Sequence, residues 1–310
     1  MPNAVYRRRL LVRTGRSAAL VAGLFACGCE VFHGSLSSEH STAPEPREVR
    51  EGEVSRAAAP STPTIPGKNA TRHGYYVFYH DFDLNRNDPL FEELEALPER
   101  VFEELALPPG NTIVQVFLFE TQERYDGFMR HRYPNLPSRR AYFIAEPRVG
   151  GGAGDLKVYT WMGDHIRTDL RHELTHATLH SVLKDVPLWL DEGLAGFFEL
   201  PPENDGVNPQ HLETLRRGEL TPDMARLETF EKVKQMEKPE YREAWAWVHL
   251  MLRGKPEARK VLQDHLKALR TTANPGPLYP KLREALGDPD QALLEHINGL
   301  ESPRRIVRVR

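Results

Sequence analysis

The stretch LRHELTHATLHSVLKDVPLWLDEGLAGFFE, residues 170–199, decides how the rest of the chain is read. His172 and His176 stand at i and i+4, so on a helix both imidazoles leave one face at adjacent levels and can close on one metal ion. Glu173 beside them is placed to take a proton from a metal-activated water, which is the mechanical content of the H-E-x-x-H pattern. A zinc ion that does chemistry needs a third protein ligand and an open fourth position. His180 continues the i+4 series, but the span from 172 to 180 covers about 12 Å of helix axis. Bonds of about 2 Å cannot bridge it, so His180 does not share an ion with both other histidines. Position 182, six beyond His176, is valine and not a third histidine. Glu192 is the better third ligand. It lies beyond Pro187, on a second helical segment that Pro201 and Pro202 terminate. Gly193, Ala195 and Gly196 would let that segment approach the first helix closely. Glu199, seven residues further on a similar face, is the fallback ligand.

HELTH followed by PLWLDEGLAGFFE resembles the gluzincin clan of metallopeptidases. More narrowly, it is similar to the DUF1570-like bacterial branch, whose second motif is W-x-x-E-G-x-A, here Trp189, Glu192, Gly193 and Ala195. The resemblance covers roughly residues 75–252. It implies zinc held by His172, His176 and Glu192, with Glu173 as general base. The metzincin pattern fails at Val182. Thermolysin-like enzymes have an aspartate four residues after the ligand glutamate, where this chain has Gly196. The G-A-M-E-N aminopeptidase signature is also missing, which favours an endopeptidase over N-terminal trimming.

Composition fits a globular protein and excludes little else. The chain has 310 residues and a formal charge of -3, with no basic motif interleaved with aromatics, so nucleic acid is not an expected partner. The two cysteines, Cys27 and Cys29, both lie near the N-terminus, so no disulfide framework serves the folded part. Arg7, Arg8, Arg9, Arg13 and Arg16 precede the apolar run 18–26, which suits a signal-peptide core and is too short to span a bilayer. Residues 1–26 therefore read as a signal peptide. Leu24, Phe25, Ala26 and Cys27 resemble a bacterial lipobox, with Cys27 as the lipidated residue, Cys29 as second choice, and a plain cleaved signal as the alternative. The protein is expected to be exported to the cell envelope, periplasm or outer surface, anchored to the membrane through that lipid.

Residues 27–70, rich in Pro, Ser, Ala and Glu, cannot bury enough apolar surface to fold and read as a tether. The folded part is expected to begin near Tyr75. Residues 75–80 predict a strand, 90–105 a helix broken or bent at Pro98, 112–119 a strand, and 122–130 a helix. Two strands follow at 141–145 and 157–161, joined by a loop with Gly150, Gly151, Gly152 and Gly154. The expected class is α+β: a zincin-like lobe with a mixed sheet at 71–202, carrying the active-site helix and both metal motifs. An all-helical C-terminal subdomain is expected at 203–300, with Pro209, Pro222, Pro239, Pro256 and Pro289 near helix starts. The Arg-rich stretch 301–310 reads as a solvated basic tail.

Peptide hydrolysis at such a site produces an oxyanion that needs a donor besides the metal. Tyr241, Tyr159, His249 and His165 are available. Tyr241 is chosen because YREAWAWVHLML resembles the family's downstream helix, although Tyr241 shares a face with Ala244, Trp245, Val248 and Leu252 and reads equally as core. Tyr159 and His249 read as packed side chains. Metal-bound histidines pass their other N–H to a carboxylate or carbonyl. Asp191 and Glu199 are nearest in sequence, and Asp191 reads equally as solvent-facing. The expected function is therefore a monomeric zinc-dependent peptidase acting on peptide or protein substrates, with a catalytically silent metal-binding or scaffolding protein as the alternative.

Overall fold

A computed structural model describes residues 63–146, 154–183, 185–272 and 274–301. The signal-peptide stretch with Cys27 and Cys29, the tether up to residue 62, Gly150 to Gly152 and the tail from residue 302 lie outside the described residues.

The chain is α+β, with a five-stranded mixed sheet and ten α-helices among the described residues. In order these are β1 (Asn69–His73), β2 (Tyr76–His80), α1 (Pro89–Glu104), β3 (Val114–Phe119), α2 (Gln122–Arg132), β4 (Tyr142–Glu146), β5 (Asp155–Trp161), α3 (Ile166–His180) and α4 (Leu188–Phe198). Every later element is helical: α5 (Pro209–Thr214), α6 (Met224–Leu227), α7 (Lys238–Arg253), α8 (Pro256–Leu269), α9 (Tyr279–Leu286) and α10 (Pro289–Gly299), with short 3-10 and π turns between. The sheet order is β1-β2-β3-β5-β4, antiparallel at both edges and parallel across β2, β3 and β5. No helix among the described residues is long and apolar enough to cross a membrane.

Strand periodicity divides the core into two layers. Val116 and Leu118 of β3, Phe143 of β4 and Val158 of β5 face one side, where α1, α3 and α4 pack. Phe117, Phe119, Tyr142, Ile144 and Tyr159 face the other, against Tyr125, Phe128 and Met129 of α2. The helix carrying both histidines is thus pressed onto β4 and β5 from one face, with α1 and α4 beside it.

Three details differ from the sequence reading. β1 begins at Asn69, inside the stretch read as tether and ahead of Tyr75. Its sequence NATRH has no apolar alternation; backbone pairing to β2 creates the strand, and only Thr71 is buried. The helix α1 runs through Pro98 as one element and is not broken there. The bond lost at the proline nitrogen is offset by burying the ring among Leu94, Leu97, Val101 and Phe102. Asp88 caps this helix on Leu90 N, with Pro89 at the first position. Finally, the two glycines of α4 face α7 and not α3. A Cβ on Gly193 would lie 2.6 Å from Ala244 O and 2.8 Å from Val248 Cγ2, and one on Gly196 would meet Trp245. The helix α4 is therefore the middle layer, with its polar edge on α3 and its glycine edge on α7.

The proline punctuation of the second half agrees with the structure. Pro209, Pro256 and Pro289 open α5, α8 and α10, Pro239 is the second residue of α7, and Pro222 precedes α6.

Candidate metal centre

His172 and His176 project from the face of α3 that meets α4, with ring centroids 4.9 Å apart and planes at 74°. Glu192, one turn into α4, brings Oε2 to 3.6 Å from His172 Nε2 and 3.9 Å from His176 Nε2. The three residues are buried, and one ligand atom from each lies within 4.8 Å of the others. These separations are too long for hydrogen bonds. They match donors around one ion, since ligands about 2.1 Å from a tetrahedral centre stand about 3.4 Å apart. His176 Nε2 is fully buried and has no hydrogen-bond partner among the described residues. In an apolar core such an atom is costly, and a cation between the three donors would satisfy it. The donor set fits a divalent ion, and this group could bind one.

The outer nitrogens of both histidines are held by carboxylates. Glu199 Oε2 lies 2.9 Å from His172 Nδ1. Asp191 Oδ1 lies 3.0 Å from His176 Nδ1, and Asp191 Oδ2 lies 3.1 Å from His180 Nε2. Glu199 accepts from His172 Nδ1, so that nitrogen carries the proton; Asp191 Oδ1 makes an ion-pair contact with His176 Nδ1, and both Nε2 atoms face Glu192 Oε2. Asp191 is buried and does not face solvent. Glu199 supports His172 and does not stand in for Glu192. His180, excluded as a ligand by helix length, sits on the far oxygen of Asp191. Burial works to lower the His176 imidazole, but the Asp191 carboxylate outweighs it and leaves the pKa raised. Burial likewise works to raise Asp191, and His176 and His180 hold it well below the usual carboxylate range. Two arginines fix the end of α4 that carries Glu199: Arg171 Nε donates to Glu199 O at 3.0 Å and Arg100 Nη2 to Phe198 O at 2.8 Å.

Compared with protein-family models and with curated proteins, the chain matches none. The chemistry is therefore read from the cleft itself.

Glu173 lines a cleft together with His172, Glu199, Thr168, Asp169, Arg140 and Ala141. Burial pushes its carboxyl up to about 7, against the pull of His172 and His176. A cation on those histidines would draw it back towards the ionised form. One wall of the cleft is fixed by Arg140, whose Nη2 donates to Asp169 Oδ1 at 2.7 Å.

The other residues singled out in the sequence fall elsewhere. Tyr241 lies in the first turn of α7, half-buried against the core, and is not among the residues lining this cleft. Tyr159 is buried on the opposite face of the sheet, its hydroxyl 3.1 Å from that of Tyr133. His249 is buried between α7 and α10, with Nδ1 2.8 Å from His296 Nε2. His165 is exposed at the start of α3. His211 of α5 was not singled out. Its ring meets Trp245 edge-on at 5.4 Å, and burial, with only weak support from Glu199, lowers its pKa to about 4. Nothing in its local sequence, PQHLET, marks it.

Proposed function

We propose that this protein is a zinc-dependent peptidase of gluzincin type, acting on peptide or protein substrates as an endopeptidase at the cell envelope. The observation that carries the reading is the coincidence of a three-donor group with a carboxylate, Glu173, that lines the cleft reaching it. Zinc is favoured over harder cations because two of the three donors are imidazole nitrogens and the set leaves room for a fourth ligand. Bound there, zinc would supply Lewis acidity, lowering the pKa of a water to about 7 and polarising a carbonyl. Glu173 takes the proton from the attacking water and delivers it to the leaving amine. Asp191 and Glu199 keep His176 and His172 in the tautomer that binds metal. Tyr241 is the candidate second oxyanion donor on the likeness of its helix to the family's downstream helix alone, since it does not line the cleft beside Glu173.

The packing of α3 beneath a mixed sheet supports a zincin-like N-terminal lobe, and the purely helical run after β5 supports a helical C-terminal subdomain. The signal-like N-terminus and Cys27 support export and lipid anchoring, and the protein is proposed to act as a monomer.

The test is zinc content together with cleavage of casein or a peptide library by wild type and Glu173→Gln. Zinc in both and cleavage by wild type alone is expected. Zinc in both with equal, chelator-insensitive cleavage would sink the proposal, and zinc with no cleavage by either would favour a silent metal-binding protein.

A further inference from the structure

Asp191 faces a histidine on each side, in an ion pair with His176 and in a hydrogen bond with His180. Its Oδ1 is 3.0 Å from His176 Nδ1 and its Oδ2 is 3.1 Å from His180 Nε2. The side chains are almost wholly enclosed, at 0% exposure for His176, 6% for His180 and 10% for Asp191. Phe143 of β4 lies roughly parallel to both imidazoles, 5.3 Å from His180 and 6.2 Å from His176. The two histidines are one turn apart on α3, and Asp191 comes from the first turn of α4. A carboxylate with one oxygen bound can still swing about its Cβ–Cγ bond, whereas one bound at both oxygens to neighbours on a single rigid helix cannot. The orientation of His176, and with it the aim of Nε2, is thus set by an assembly of three side chains and not by Asp191 alone.

We propose that His180 is a positioning residue for the metal centre, holding the second oxygen of Asp191 so that the first stays on His176 Nδ1. This rests on the reading of His172, His176 and Glu192 as metal ligands, but not on peptidase activity. The role requires a donor at the place of His180 Nε2 and no bond from His180 to the ion. Glutamine is the conservative replacement, because its amide can put an N–H near the position of Nε2. Alanine removes the donor.

The experiment measures the zinc dissociation constant of the full chain by competition with a chromophoric chelator. The proteins are wild type, His180→Ala, His180→Gln, Asp191→Ala and the double variant with alanine at both positions, each also followed by thermal unfolding without metal. Outer-shell partners of metal-bound histidines are worth about 10–100-fold in affinity. His180→Ala is expected to weaken zinc binding about tenfold, towards the lower end of that range. His180→Gln should recover most of the loss, and His180→Ala should have no further effect once Asp191 is alanine. Equal effects of His180→Ala with and without Asp191 would overturn the proposal, because the loss would then come from packing. So would an unchanged constant in His180→Ala, or wild type that binds no zinc. The first two results leave the peptidase reading standing, and the third removes both.

Discussion

His172 and His176 on α3, and His249 and His296 between α7 and α10, are two pairs of buried imidazoles in one molecule. The first pair is ringed by Asp191, Glu192 and Glu199. The second sits among Trp245 and Phe197, with Arg253 as a charged neighbour, and its nitrogens bond each other at 2.8 Å. Desolvation acts on both. At His249 nothing opposes it strongly and the pKa falls to about 3, while at His176 the Asp191 carboxylate reverses the direction. Burial alone therefore makes a neutral core histidine. Carboxylates on the outer nitrogens, with a third carboxylate facing the inner ones, make a group that could hold a cation.

The comparison breaks most visibly at Glu173. Glu173→Gln is expected to lower kcat/KM on a cleaved peptide by about 10²–10⁴-fold while zinc content stays at the wild-type level. A variant that loses its zinc as well would show that Glu173 is holding the site together. Removing an outer carboxylate comes next: Asp191→Ala should weaken zinc binding about 10–100-fold, whereas His249→Asn, which keeps a polar group towards His296, should leave it unchanged. A loss of zinc affinity in His249→Asn would mean that the two histidine groups are not independent.

The helix α4 joins the two regions, since its polar edge serves α3 and its glycine edge lies against α7. Gly193→Ala puts a methyl group within 2.6 Å of Ala244 O, closer than real contacts allow. Chemical denaturation should register a loss of about 1–3 kcal/mol. An unchanged midpoint would mean that α4 and α7 are not in this close contact. The smallest effect concerns pH. Above about pH 6.5 His249 is neutral in both folded and unfolded chains; below it the unfolded chain takes up a proton that the folded one refuses until about pH 3. Stability should therefore fall on acidification through that window. His249→Asn should flatten the curve by up to about 1.4 kcal/mol per pH unit, and an identical slope in the variant would remove His249 from the account.

The spacing of the three donors was legible because i, i+4 geometry and the proline break leave few ways to bring Glu192 back to His172 and His176. The outer carboxylates were legible as residue types but not as partners. Asp191 and Glu192 are adjacent, about 100° apart on a helix. Both reach α3 because they contact different nitrogens of its histidines, and sequence spacing does not encode that choice. The same limit hid which helix the glycines of α4 approach, since their direction depends on α7, some fifty residues later. β1 escaped notice because an edge strand held by backbone pairing needs no apolar alternation. Helix length excludes His180 as a ligand, but only the folded arrangement shows that it lies on Asp191.

The central claim is tested most directly by metal stoichiometry on the purified chain equilibrated with zinc and dialysed. Wild type, Glu173→Gln and His249→Asn should retain one zinc per chain, and His176→Ala should retain none. Equal zinc in wild type and His176→Ala, or none in wild type, would contradict the account.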